Sequence, residues 1–176
     1  MFSRSEGYKR QIYPDDHISY SLNYHQMGSI QLQDGNFDAA DSNLSAALRI
    51  RRANLHQNHP DIASTLQQLG FWNQQQGNFE KAEQLYTEAL AIYEEQSLDD
   101  PDIAMESASL KNSLGVILQT TARYEEAAAL FQDAISYILT NLGDDHPRVI
   151  NYLSNLGYTT SDGKHRTSRK VSHPEC

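Results

Sequence analysis

Apolar residues return at three- and four-residue spacing along most of this chain, in blocks that glycine and proline interrupt. After His59-Pro60, the residues Ile62, Leu66 and Leu69 fall on one helical face, and Gly77-Asn78 ends the run. A second block, from about Phe79 to Gln96, turns Phe79, Ala82, Leu85, Tyr86, Ala89, Leu90 and Tyr93 inward. Glu80, Lys81, Glu83, Glu88 and Glu94 lie largely on the opposite, solvated side. Pro60 suits a first helical position, where its fixed φ helps and its missing N–H is not needed. The pattern predicts a pair of helices joined by a tight break.

The pair repeats. Gly35-Asn36-Phe37 recurs as Gly77-Asn78-Phe79 and, weakly, as Ala122-Arg123-Tyr124. Gly28, Gly70, Gly115 and Gly157 stand in one register, 42, 45 and 42 residues apart. The triplets Ala40/Leu44/Ala47, Ala82/Tyr86/Ala89 and Ala127/Phe131/Ala134 follow it. His59-Pro60 returns as His146-Pro147 and, in the irregular third unit, as Asp100-Pro101; His17 holds the same place in the first. A side chain ending at Cβ lets two helices approach closely, and the large residue one turn away fills the groove between them.

These residues carry a resemblance. Leu66-x-x-Leu69-Gly70 followed by Ala82-x-x-x-Tyr86-x-x-Ala89 resembles the tetratricopeptide (TPR) signature, and Leu114-Gly115, Ala127, Phe131 and Ala134 match it again. Tyr24, Met27-Gly28, Ala40, Leu44 and Ala47 match more loosely. The ordinary period of that family is about 34 residues, so each unit here is longer. His-Pro-Asp-Ile-Ala-Ser-Thr-Leu at 59–66 and Asn-Leu-Gly-Asp-Asp-His-Pro at 141–147 look like the long-repeat class of kinesin light chains and nephrocystin-like proteins. HEAT and armadillo arrays share the long period but do not need Gly and Ala at these offsets. The resemblance implies an all-α fold, a right-handed superhelical stack of antiparallel helix pairs of about three and a half repeats.

The expected organisation is the tail of a preceding helix plus linker over 1–16, then units over 17–58, 59–100 and 101–145. The first helix of a truncated fourth unit follows over 146–160, and a disordered basic tail over 161–176. That last helix, with Val149, Ile150, Tyr152, Leu153, Leu156 and Tyr158, is too apolar all round to be a good terminal cap. Such an end is expected of a fragment or shortened form of a longer array, or of one that pairs with a partner, self-association through this helix included.

Composition narrows the chemistry. Residues 17–158 hold seven Lys/Arg and eighteen Asp/Glu, hence 7 − 18 = −11, and such a body repels phosphate backbones, so nucleic acid is not an expected partner. Mean hydropathy is −0.65 and no apolar run is long enough for a membrane helix, so no membrane partner is expected. The single cysteine, Cys176, cannot make an internal disulfide, and no secretory signal opens the chain; the cytoplasm is the expected compartment. Glycine-rich phosphate loops, His-Glu-x-x-His and cysteine pairs are absent, so neither enzyme, cofactor nor metal is expected. His17, His59 and His146 sit at equivalent points of different repeats, too far apart to share an ion, and read as helix-start residues. Trp72 reads as packing between repeats, since Ile30 and Ile117 share its slot.

The resemblance implies a protein or peptide ligand held on the concave face of the first helices. Carried over, that face is His25, Ser29 and Leu32, then Ser64, Gln67, Phe71 and Gln74, then Ser109, Asn112, Val116 and Gln119, and finally Ser154 and Tyr158. Its amides offer both donors and acceptors to an extended backbone. The expected function is a protein-interaction scaffold binding a peptide or helix. A kinesin-light-chain-like cargo adaptor, or a sensor or oligomerisation array of a larger signalling protein, stays open. Departures bear on these: no Lys or Arg forms a carboxylate clamp, Leu66-Gln67-Gln68-Leu69 replaces Leu-Asn-Asn-Leu, Lys111 takes the slot of Leu66, and no heptad coiled coil is present.

Overall fold

A computed structural model of the chain describes residues 16–96, 100–144 and 146–171, with side chains as far as 160. The expected preceding helix tail over 1–16 therefore lies almost wholly outside the described residues. Seven helices follow in order: α1 Ile18–Gln33, α2 Phe37–Asn54, α3 Pro60–Gln75, α4 Phe79–Gln96, α5 Pro101–Thr120, α6 Tyr124–Leu142 and α7 Pro147–Val171. Among the described residues there is no strand.

Each helix starts and stops for a local reason. The ring Nδ1 atoms of His17, His59 and His146 accept the backbone N–H two residues on, at 3.2, 3.1 and 3.3 Å. Asp100 does the same with its carboxylate at 2.9 Å. The recurrent histidines are thus caps that satisfy an orphan donor of the first turn. The first helices end in one repeated motif. Asn36, Asn78 and Arg123 donate five residues back, to Gln31, Asn73 and Leu118, while Gly35, Gly77 and Ala122 donate three back. The residue at that turn is left-handed, with φ of 73°, 77° and 64°. Glycine takes this conformation freely, but Ala122 bears a cost of about 1–2 kcal/mol.

Packing inside a unit rests on the register glycines. A Cβ on Gly28 would lie 2.6 Å from Leu44, on Gly70 2.5 Å from Tyr86, and on Gly115 2.6 Å from Phe131. The second helix of each pair therefore lays the large central residue of its triplet against bare backbone of the first, and the flanking alanines of every triplet are fully buried. The main core runs continuously from Leu32 to Phe131, and Ala108, Ala134, Ile135, Ile138, Val149 and Tyr152 close a smaller one against α7. Trp72 is half-buried against the main core, as its slot implies.

Between units, first helices approach first helices, whereas the backbones of α2, α4 and α6 do not approach one another. The stack is narrower on the first-helix side, which places α1, α3, α5 and α7 along its inside. Pairs such as the exposed Arg52–Glu88 and the half-buried Arg123–Glu83, each 2.6 Å, tie the outer helices.

Two features differ from the sequence expectation. In the third unit Leu110, not Lys111, is buried in the core, and Lys111 reaches out to Glu94 at 2.9 Å and Asp133 at 3.6 Å. The slot of Leu110 is held in the second unit by Thr65, which is buried as well, so this unit places its apolar residue at a position that faces the core in both. The last helix runs on through Val171 instead of stopping near 160, so most of the expected disordered stretch 161–176 has a helical backbone. No proline interrupts it, and a lone Gly163 costs only about 1 kcal/mol; residues 172–176 lie outside the described part.

Gly70→Ala should lower stability by about 1–3 kcal/mol, because the new methyl strikes the Tyr86 ring. Gly157→Ala should instead raise it by about 0.5–1 kcal/mol, since no described atom lies within 4 Å of that Cβ position. Urea unfolding of dilute protein measures both. By the same measurement Ala122→Gly should gain about 1 kcal/mol by removing the left-handed strain.

Candidate functional site

The inside of the stack is not a uniform row of free polar groups. Each seam between units is bridged by a specific set. At the first, Arg51 of α2 is 2 % exposed. Its Nη1 donates to the Asp61 carbonyl and the Thr65 hydroxyl, both at 2.6 Å, and lies 3.4 Å from His25 Nδ1. The Asp61 carboxylate stands 3.9 Å from Nη2. Buried Nε has no acceptor among the described residues. At the second seam, Gln67 donates to Glu106 and accepts from the Tyr93 hydroxyl, both at 3.4 Å, and Ser64 is half-buried about one turn earlier on α3. At the third, Asn155 donates to Asn112 at 3.0 Å.

Electrostatics at the first seam follow from burial. Desolvation is the main cause that lowers His25 to about 4, helped by the positive Arg51 and opposed by Asp61. Burial also lowers Arg51, against the pull of Asp61. Burial raises the hydroxyls of Tyr86 and Tyr93. Tyr86 donates to Gln74 at 2.9 Å.

Several residues expected to face a ligand are thus already engaged. His25, Gln67, Gln74 and Asn112 hold neighbouring helices. Leu32 is a correction: it is buried in the main core, because the end of α1 turns it toward α2 instead of the groove. Ser154 is exposed and returns its hydroxyl to the Ile150 carbonyl at 2.9 Å. The residues just after each register glycine are Ser29, Phe71, Val116 and Tyr158. Phe71 and Tyr158 are exposed, and Ser29 and Val116 are half-buried. Ser109 and Gln119 are half-buried beside Val116 on α5.

Arg51, Glu106 and Asn155 escaped the sequence reading. Arg51 left a signal: it stands in the slot of Tyr93 and Ile138, both buried, so a charge falls where the other units place a core residue. Apart from the groove, a cavity of about 250 Å³ lies between α4, α5 and α6, lined by Glu94, Ala104, Ser107, Ala108, Lys111, Asp133 and Tyr137. Among the described residues no cluster of His, Cys, Asp or Glu has metal-binding geometry, and no helix is long and apolar enough to cross a membrane.

Antiparallel helix pairs stacked in register, with an open inner face, define a helical repeat scaffold. Tetratricopeptide repeat models match residues 19–95 and 107–148, together more than half of the chain. The chain belongs to the tetratricopeptide repeat family. Its fold is similar to that of BtubC (BKLC) from P. vanneervenii, with a TM-score of 0.71 at 21 % identity over 89 % of this chain and 66 % of that one. It is also similar to a putative kinesin light chain with nearly identical TPR-like repeats from Podosopora anserina, at 0.72 and 17 % identity over 94 % and 77 %. The chain spans just under two thirds of the first of these proteins. No curated protein matches it in sequence.

A pH dependence follows from His25. The unfolded ring protonates near its ordinary 6.5 and the folded ring only near 4, so between those values the unfolded chain binds more protons. Stability from this group is complete above 6.5 and is lost as pH falls toward 4. His25→Phe should show a flatter decline of thermal midpoint than the natural protein across that window, by circular dichroism.

Proposed function

We propose that the inner face of this array is a docking groove for a peptide or helix of another protein, read by apolar contacts more than by free amides. The observation that carries this is the row Ser29, Phe71, Val116 and Tyr158, which repeats at one register position and leaves two aromatic rings exposed. Aromatic anchors in a shallow groove are frequent centres of binding energy. The acidic body, net −11 over 17–158, favours ligands with basic residues beside their apolar side chains. The role is non-catalytic scaffolding, consistent with a repeat fold in which the polar clusters are structural bridges.

Adaptor work like that suggested by the name kinesin light chain is a narrower reading, supported only by likeness of fold. Co-purification with a motor heavy chain is its test.

Phe71→Ala should weaken a captured basic-apolar ligand about tenfold or more while leaving helicity unchanged, because Phe71 is exposed and outside the core. Isothermal titration with a ligand found by affinity capture measures this. Equal affinity in Phe71→Ala and in Val116→Ser would remove the groove from the account.

A further inference from the structure

In the first three units the register glycine is covered by the large residue of the second helix. Gly157 is not: no described atom lies within 4 Å of where its Cβ would be. Ile150 and Leu153, two turns and one turn earlier on the same face, are 70 % and 49 % exposed. Their counterparts in the second unit, Ala63 and Leu66, are fully buried. The helix therefore carries a bare socket with two apolar knobs beside it, and its backbone continues straight through Val171.

An ordinary second helix fits this face poorly. The slot of Ile150 is held by Ser21, Ala63 and Ala108 in the other units, small residues that allow close approach. A branched Ile150 holds such a helix away at that point. A partner that itself offers a notch fits better. We propose that the occupant is α7 of a second copy, packed antiparallel about a two-fold axis near residue 155. Leu153 of each copy then seats on Gly157 of the other, and Ile150 lies opposite Thr160. The interface is self-complementary, as two-fold symmetry requires.

Charge supports the same orientation. The stripe Ile150, Leu153, Gly157 and Thr160 is uncharged, so two acidic bodies meet there without direct repulsion. Residues 164–170 include four basic residues, and antiparallel pairing runs this stretch back toward the loop at Asp144 of the other copy. With 25 residues, α7 is ~37 Å long, enough for several turns of contact. This pairing is independent of the groove proposed above.

Sedimentation velocity of the full chain over a concentration series tests it, alongside Leu153→Lys and two cysteine variants. A reversible dimer is expected, weakened on the order of 100-fold by Leu153→Lys with helicity retained, since the knob is lost twice per dimer. In a Cys176→Ser background, a mixture of Leu153→Cys and Gly157→Cys should form the mixed disulfide faster than either variant alone. A chain that stays monomeric, a dimer indifferent to Leu153→Lys, or faster like-with-like crosslinking would each overturn the proposal. So would a monomer that takes up a peptide of residues 79–96, which would assign the socket to a second-helix-type partner.

Discussion

The whole architecture depends on one contact, the seating of a large side chain from a second helix on the bare backbone of a register glycine. Without a Cβ on Gly70, the Tyr86 ring lies where a side chain would otherwise stand, and the two helices reach a separation that buries Ala82 and Ala89 as well. A mid-helix glycine costs about 1 kcal/mol of helix stability. That loss is offset by burial of a large residue, on the order of 1.5–3 kcal/mol. The chain makes this exchange at Gly28, Gly70 and Gly115, and each time a hairpin closes.

Closed hairpins must still be set at a fixed angle to one another, and here polar groups act. Arg51 with Thr65, Gln67 with Glu106, and Asn112 with Asn155 each link successive units near the inner face. Apolar contact alone is tolerant of rotation, whereas a hydrogen bond weakens steeply when misaligned. The buried Arg51 is the costliest of these devices, because a desolvated charge needs its partners in place. Its bonds to Asp61 and Thr65 fix how α3 meets α2, and so set the curve of the groove at its first bend.

Function on this scaffold is a matter of what the bridges leave over. Amides that looked available for a ligand backbone are engaged in holding the array, and the surface that remains is a sparse row led by Phe71 and Tyr158. The docking proposed above would rest on these few apolar anchors and on overall charge. The open socket at Gly157 is a separate surface on the same final helix, made by a unit whose first helix has no second helix folded onto it among the described residues.

Much of this was legible in the residues. The helix pairs, their breaks at Gly77-Asn78 and their caps at His59 and Asp100 are local, set by backbone conformations that few residues adopt and by donors that one side chain can satisfy. The glycine and alanine register likewise predicts which faces meet, since only small residues permit that approach. What the sequence could not decide were the partners of long polar side chains. Gln67 reads equally well as a ligand contact or as a bridge to Glu106 and Tyr93, because both need the same amide. Leu32, expected in the groove, lies in the core, a difference of part of a helical turn that only the packed position of α2 resolves. Arg51 in an apolar slot was visible as an anomaly, yet its meaning required Asp61, Thr65 and His25 to be brought around it from two other helices. Local stereochemistry determined the elements; the relative placement of those elements decided which polar atoms were used up and which surface was left to act.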